Sequence, residues 1–149
     1  MWEQLQCVSV KDGSTTQFEY RSEEQIDAQG RRIWEYSVRH PDAATAGGHQ
    51  YFAKFRQVDD VFVQVTMLDN ASQLGCTVYR GKGITERLFQ IVKEKTGLRL
   101  VSSSNKQPTF EDEGDFRSES ATDVWKHFVD QGKATTLPET DRFEYTGHE

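Results

Sequence analysis

The chain has 149 residues, the size of one domain with room for a single substantial core. It is acidic, with 18 Lys and Arg against 24 Asp and Glu, a net charge of -6 and a pI near 5.3. That balance argues against broad nucleic-acid binding, which needs a basic surface or stripe. Mean hydropathy is low at -0.77, but 9 Phe, 5 Tyr and 3 Trp supply bulk for a core, so the expectation is a soluble folded domain with long polar surface loops.

No run approaches the roughly 18 apolar residues needed to span a bilayer. The start, Met1-Trp2-Glu3-Gln4, lacks the basic and apolar regions of a signal peptide, so the expected location is cytoplasmic with no membrane partner. Cys7 and Cys76 lie far apart and outside any C-x-x-C pair, which in a reducing compartment predicts free thiols. His40, His49, His127 and His148 show neither helix-face pairing nor finger spacing, and no metal site is expected.

Residues Trp2 to Val10 read as a first strand, ended by the turn Lys11-Asp12-Gly13-Ser14, and Thr16 to Tyr20 as a second short extended piece. Ser22 to Gly30 has an N-cap serine, early glutamates and a closing glycine; it reads as a turn or two of helix or as a polar loop. Arg32 to Arg39 puts Trp34, Tyr36 and Val38 on one face of a strand. Gln50 to Gln57 aligns Tyr51, Ala53 and Phe55, and Asp59-Asp60 turns into a strand over Val61 to Asp69. Three strands joined by short turns predict an antiparallel meander.

Leu74 to Tyr79 reads as a short extended approach to the stretch Val78-Tyr79-Arg80-Gly81-Lys82-Gly83-Ile84-Thr85. Beyond it Ile84, Leu88, Ile91 and Val92 share one face of a helix of about Gly83 to Thr96, with Gly97 at its C-cap. Leu98 to Ser102 resumes as a strand, expected beside the one that enters the glycine loop. Ligands in such sheets sit beyond the strand C-terminal ends, which would bring Ser102, Ser103, Ser104 and Asn105 near the loop. Lys106 to Arg117, with Glu111, Asp112, Glu113 and Asp115, reads as a polar insertion. Ala121, Val124, Trp125, Phe128 and Val129 form the apolar face of a second helix over about 120–131, and Ala134 to Thr146 adds one or two strands. The expected fold is a single α+β domain over 1–149, with a mixed, mostly antiparallel sheet and two main helices.

The glycine stretch carries the chemistry. The first turn of a helix leaves backbone N–H groups unpaired at the positive end of its dipole, and glycines let an anion approach them closely. Arg80 and Lys82 add charge suited to phosphate oxygens. A basic glycine turn is also a common plain connection between strand and helix.

Tyr79-Arg80-Gly81-Lys82-Gly83-Ile84 resembles the acyl-CoA pyrophosphate loop of the GNAT superfamily of N-acyltransferases, whose pattern is Gln or Arg, two free positions, Gly, one free position, then Gly or Ala. Arg80 and Gly83 match, and Thr85 stands where the small residue is expected. The resemblance covers somewhat over half the chain and is nearest to small divergent members of the kind carried by phages and mobile elements. It implies acetyl-CoA, or coenzyme A, bound by Val78, Arg80, Gly81, Lys82, Gly83, Ile84 and Thr85 with Ser103 and Asn105 nearby, the pantetheine arm lying between splayed strands at 74–79 and 98–102. It also implies direct attack of an amine on the thioester.

Family members commonly protonate the leaving thiolate from a tyrosine four residues after an alanine in the next helix. Here Trp125 follows Ala121, its indole is far too weak an acid, and it reads as core. Tyr145 and Cys76 are the remaining candidate proton donors. The two helices that the family places between its first strands have no counterpart except Ser22 to Gln29. The activity implied is N-acetylation of an amine that the sequence does not identify. Its rival is a non-catalytic GNAT-like module that binds a protein partner through its acidic surface.

Overall fold

The computed structural model describes residues 2–9, 12–42, 44–71, 75–105, 117 and 119–147. Among the described residues eight strands form one sheet: β1 (Glu3–Val8), β2 (Thr15–Ile26), β3 (Arg32–Arg39), β4 (Tyr51–Gln57), β5 (Phe62–Asp69), β6 (Arg99–Val101), β7 (Ala134–Leu137) and β8 (Arg142–Tyr145). The two helices are α1 (Ile84–Thr96), between β5 and β6, and α2 (Glu119–Asp130), between β6 and β7. The spatial order is β1-β2-β3-β4-β5-β6-β8-β7. Every neighbouring pair is antiparallel except β5 and β6. The α+β class, the meander, both helices and the two tail strands agree with the sequence. No helix among the described residues is long and apolar enough to cross a membrane.

Alternation explains the strands. Leu5 and Cys7, Trp34, Tyr36 and Val38, and Tyr51, Ala53 and Phe55 recur at every second position and are each 2% exposed or less. They line the face that both helices cover. Phe89 of α1 is the centre of that layer, with ring centroids 6.0 Å from Phe55, 5.1 Å from Trp125, 5.7 Å from Phe128 and 5.3 Å from Tyr145. One side chain thus joins β4, α2 and β8. Trp125 is core, with its ring stacked on Phe143 at 6.0 Å.

Two local readings are corrected. The helix or loop expected over Ser22 to Gly30 is instead the second half of a long strand, since β2 continues to Ile26 in register with β3, from Glu19 opposite Arg39 to Ile26 opposite Arg32. A helix there would bury only Ile26, whereas pairing satisfies the backbone and lets Glu24 accept the Trp34 indole N–H at 2.9 Å. Only the Asp27 turn remains of the loop. There the carboxylate accepts the Gln29 and Arg31 amides and receives the Arg56 guanidinium at 2.6 Å.

The extended approach expected over Leu74 to Tyr79 is a run of turns from Gly75 on, Leu74 lying outside the described residues. Two of its amides bond locally, Cys76 to the Ala71 carbonyl and Arg80 to that of Thr77, and the stretch from Gly75 on joins no strand pair. The parallel neighbour of β6 is therefore β5, with Phe62 opposite Arg99, Val63 opposite Leu100 and Gln64 opposite Val101. Of the acidic insertion at 106–117, all but Arg117 is outside the described residues.

Phe89→Ala is expected to lower the unfolding free energy by about 3–5 kcal/mol, read from denaturant midpoints, because the ring lies between helices and sheet that cannot collapse together. Glu144 supplies a pH test. The Arg99 guanidinium, at 2.6 Å, holds its carboxyl below the usual carboxylate range. A folded-state value below the unfolded one adds stability that is present above the unfolded value and lost as pH falls through the folded one. Glu144→Gln should flatten that part of the acid limb of a stability-pH profile.

Candidate functional site

Tyr79 fixes the start of the glycine loop. Its buried hydroxyl donates to the His49 carbonyl at 2.6 Å and accepts the His40 amide at 3.2 Å, and its ring leans on Phe18 at 5.8 Å. The chain then turns through Gly81 at φ 65° and Gly83 at φ 82°, and α1 begins. Gly83 is the N-cap, and no side chain caps the amides of the first helical turn. Those N–H groups are therefore the natural partners of an anion.

The two glycines have different reasons for being glycine. A Cβ on Gly83 would lie 2.2 Å from the Val8 carbonyl oxygen, so here the end of β1 presses on the loop and only glycine fits. A Cβ on Gly81 would meet nothing within 4 Å, so its left-handed backbone is the sole constraint. Space for a ligand lies at Gly81, not at Gly83.

Charge follows the same division. Arg80 and Gly81 are exposed and Lys82 is half-buried. Asp12, in the β1–β2 turn, has its carboxyl held below the usual range, first by the Ser14 hydroxyl and amide and, more weakly, by the Lys82 ammonium. That carboxylate offsets part of the positive potential at Lys82 and leaves Arg80 as the loop's outward cation.

Thr85 sits in the first turn, and its hydroxyl is 2.6 Å from the Tyr51 hydroxyl. Burial raises the Tyr51 phenol well above its usual range and keeps it protonated. The bond pins α1 to β4, which gives the threonine a structural role that the loop pattern alone did not reveal. Val78 is half-buried against the core and Ile84 is 2% exposed within it.

Of the other candidates Ser103, Cys76 and Tyr145 are buried, and Asn105 is exposed but bonded within the fold. Ser103 donates to the Val65 carbonyl at 2.9 Å and receives the Gln64 amide at 3.3 Å. Asn105 accepts the Arg117 amide at 2.7 Å and donates to its carbonyl, while its own N–H goes to Asp141. These contacts tie β6 to β5, β8 and the approach to α2. The Cys76 thiol donates to the Ala46 carbonyl at 3.7 Å in a buried site. The Tyr145 phenol, pushed up to about 12 chiefly by burial, donates to Glu86 at 3.3 Å, and Glu86 also pairs with Lys133 at 2.8 Å.

The strand beside β6 is β5, not 74–79. Parallel pairing ends at Gln64 and Val101, and β5 runs on to Asp69. β5 also carries a bulge against β4: Lys54 opposes Met67 and Phe55 opposes Val65, leaving Thr66 as the extra residue. Arg142 ties the end of the pairing together, donating to the Gln64 side chain and the Ser102 carbonyl at 2.8 Å each.

In comparisons with known proteins, no protein-family model matches the chain, and no curated protein and no solved structure matches it.

Gly81→Ala is expected to cost about 1–2 kcal/mol of stability, the left-handed penalty of an L residue. Gly83→Ala should cost more, because the Val8 carbonyl must also move. Paired denaturation curves check the ranking, and equal losses would contradict the role given to Val8.

Proposed function

We propose that the chain is a small GNAT-like N-acetyltransferase that holds the pyrophosphate of acetyl-CoA at the start of α1 and transfers the acetyl group to an amine. The observation that carries this reading is the uncapped first turn of α1 behind an open, left-handed Gly81 and an exposed Arg80. Among the described residues the one parallel pair, β5 with β6, and the bulge at Thr66 on β5 support it, because bulges concentrate where a strand is re-aimed beside a ligand. Acetyl-CoA, when bound, supplies an acyl group activated as a thioester. In this reading the amides from Gly81 to Thr85 hold the diphosphate, and Arg80 and Lys82 neutralise it.

A second reading has its own support. Tyr145 and Cys76, the candidate proton donors, both spend their hydrogen on interior acceptors. Trp125 is core, and β2 runs as a strand where the family has helices. These observations favour a GNAT-like module that binds the nucleotide or a protein partner without catalysis.

Isothermal titration of the protein with acetyl-CoA, with coenzyme A as the comparison, tests both. Micromolar binding that Arg80→Ala weakens by about tenfold or more, the loss of one charge-assisted phosphate contact, is the expected result. Acetyl transfer in an amine screen then separates the enzyme from the module. No heat at millimolar ligand would remove the pyrophosphate site from both readings.

A further inference from the structure

β2 outruns the strand that flanks it. β1 pairs with it from Val8 opposite Thr15 to Glu3 opposite Tyr20, whereas β3 follows it from Glu19 to Ile26. Among the described residues no strand lies on the β1 side of Arg21 to Ile26. Trp2, just before β1, turns its ring onto the guanidinium groups of Arg21 at 4.9 Å and Arg39 at 4.0 Å. Every residue from Arg21 to Ile26 is exposed, and Ile26, an isoleucine at 62%, has no apolar cover.

Hydrogen bonds at both ends of β2 show which way its backbone points. Before the strand, the Ser9 N–H donates to the Ser14 carbonyl at 2.8 Å, so Ser14 faces β1. After it, the Asp27 N–H donates to the Arg31 carbonyl at 2.9 Å, so Asp27 faces the β3 side. Alternate residues of an antiparallel strand bond to opposite neighbours, and both registers of β2 run without a break. The two bonds give the same parity. Arg21, Glu23 and Gln25 bond toward β3, while Ser22, Glu24 and Ile26 aim their N–H and C=O groups into the open lane in line with β1.

Sheets protect such an edge by covering it or by charging it. Here the charge selects the occupant. A second copy that used all three open residues would set Glu24 against its own counterpart, like charges directly opposite. On the outer face Glu23 lies opposite Glu35, whose ion pair with Lys54 is long at 3.8 Å. On the helix-covered face Glu24 accepts the Trp34 indole N–H, and Ser22 and Ile26 stand on either side of it. A strand entering this lane therefore meets a carboxylate on one face, at Glu23, and an apolar side chain on the other, at Ile26.

We propose that this edge of β2 takes an extended peptide segment of a partner protein, paired antiparallel along Ser22 to Ile26, with a lysine or arginine opposite Glu23 and apolar residues on the helix-covered face. Strand addition of this kind draws affinity from main-chain hydrogen bonds and specificity from alternate side chains. The proposal is independent of the glycine loop.

The test is an NMR titration of the isotope-labelled chain with the acetylated and amidated pentapeptide valine-lysine-valine-lysine-valine. The comparisons are the same peptide with glutamate for lysine and the lysine peptide N-methylated at its valines, which keeps the charge and loses the pairing N–H groups. The lysine peptide should bind and shift the Ser22, Glu24 and Ile26 amides, and neither comparison should. Ser22→Pro removes an edge N–H and sets a ring in the lane while sparing the bonds to β3, so it should abolish binding. Glu23→Lys should weaken binding by about fivefold, a facing pair becoming like charges, and confer binding of the glutamate peptide. Both positions are exposed, and both variants should melt like the parent. No saturating shift at millimolar lysine peptide, equal binding of the N-methylated peptide, or a Glu23→Lys chain that binds like the parent would overturn the proposal. A dimer in sedimentation that Ser22→Pro dissociates would give the edge to a second copy and overturn it as well.

Discussion

The structure depends on where Phe89 sits. Its ring touches β4 through Phe55, α2 through Trp125 and Phe128, and β8 through Tyr145, and those contacts hold both helices on one face of the sheet. Aromatic pairs of this kind add modestly to the area they bury, and their larger effect is to fix orientation. With the middle of α1 fixed, its ends have little freedom. Thr85 meets Tyr51 at the start, and near the end Lys93 donates to the Tyr145 carbonyl at 3.1 Å. The position of the glycine loop against Val8 follows from the same packing.

What the sequence reveals and what it hides have physical causes. β3 and β4 are legible because each alternates buried aromatics with polar groups, a signal held within the segment itself. The second half of β2 is not legible, because Arg21 to Ile26 are all exposed and the reason they extend is β3, several residues further along. A serine cap, two glutamates and a closing glycine describe a helix start and end, but a local signal loses to eight consecutive pairings with a neighbour. β6 pairs with β5 and not with the stretch that enters the loop for a related reason. The three residues of β6 carry no mark of which upstream strand they join, and among the described residues the stretch from Gly75 on forms turns while β5 supplies the ladder.

At the loop, the sequence alone cannot divide the labour of the two glycines. Two glycines two residues apart fit an anion cradle and fit a tight packing contact equally well. The structure assigns Gly83 to packing against a neighbouring carbonyl, and it leaves Gly81 with open space. The hydroxyl of Thr85, a departure from the expected pattern, is used within the fold. Ser103 and Asn105 sit at the strand ends that the topology rule indicates, yet their polar atoms join strands to one another. Topology locates a residue, but only its hydrogen bonds say whether it is available.

The same reasoning applies to the buried tyrosines. A buried hydroxyl that is bonded within the fold needs no further explanation, since removing it would leave its partner unsatisfied. The hydroxyls of Tyr51, Tyr79 and Tyr145 are of this kind. Glu86 turns toward Lys133 and Tyr145, whereas the next residue, Arg87, acts on Tyr20 and Cys7. Consecutive helical residues point about 100° apart, so the helix presents one flank to β8 and the other to the first strands. The flank toward β8 carries the bonded pair Glu86 and Lys133, and the flank toward the first strands carries Arg87. That separation within one acidic domain arises from the placement of a single helix.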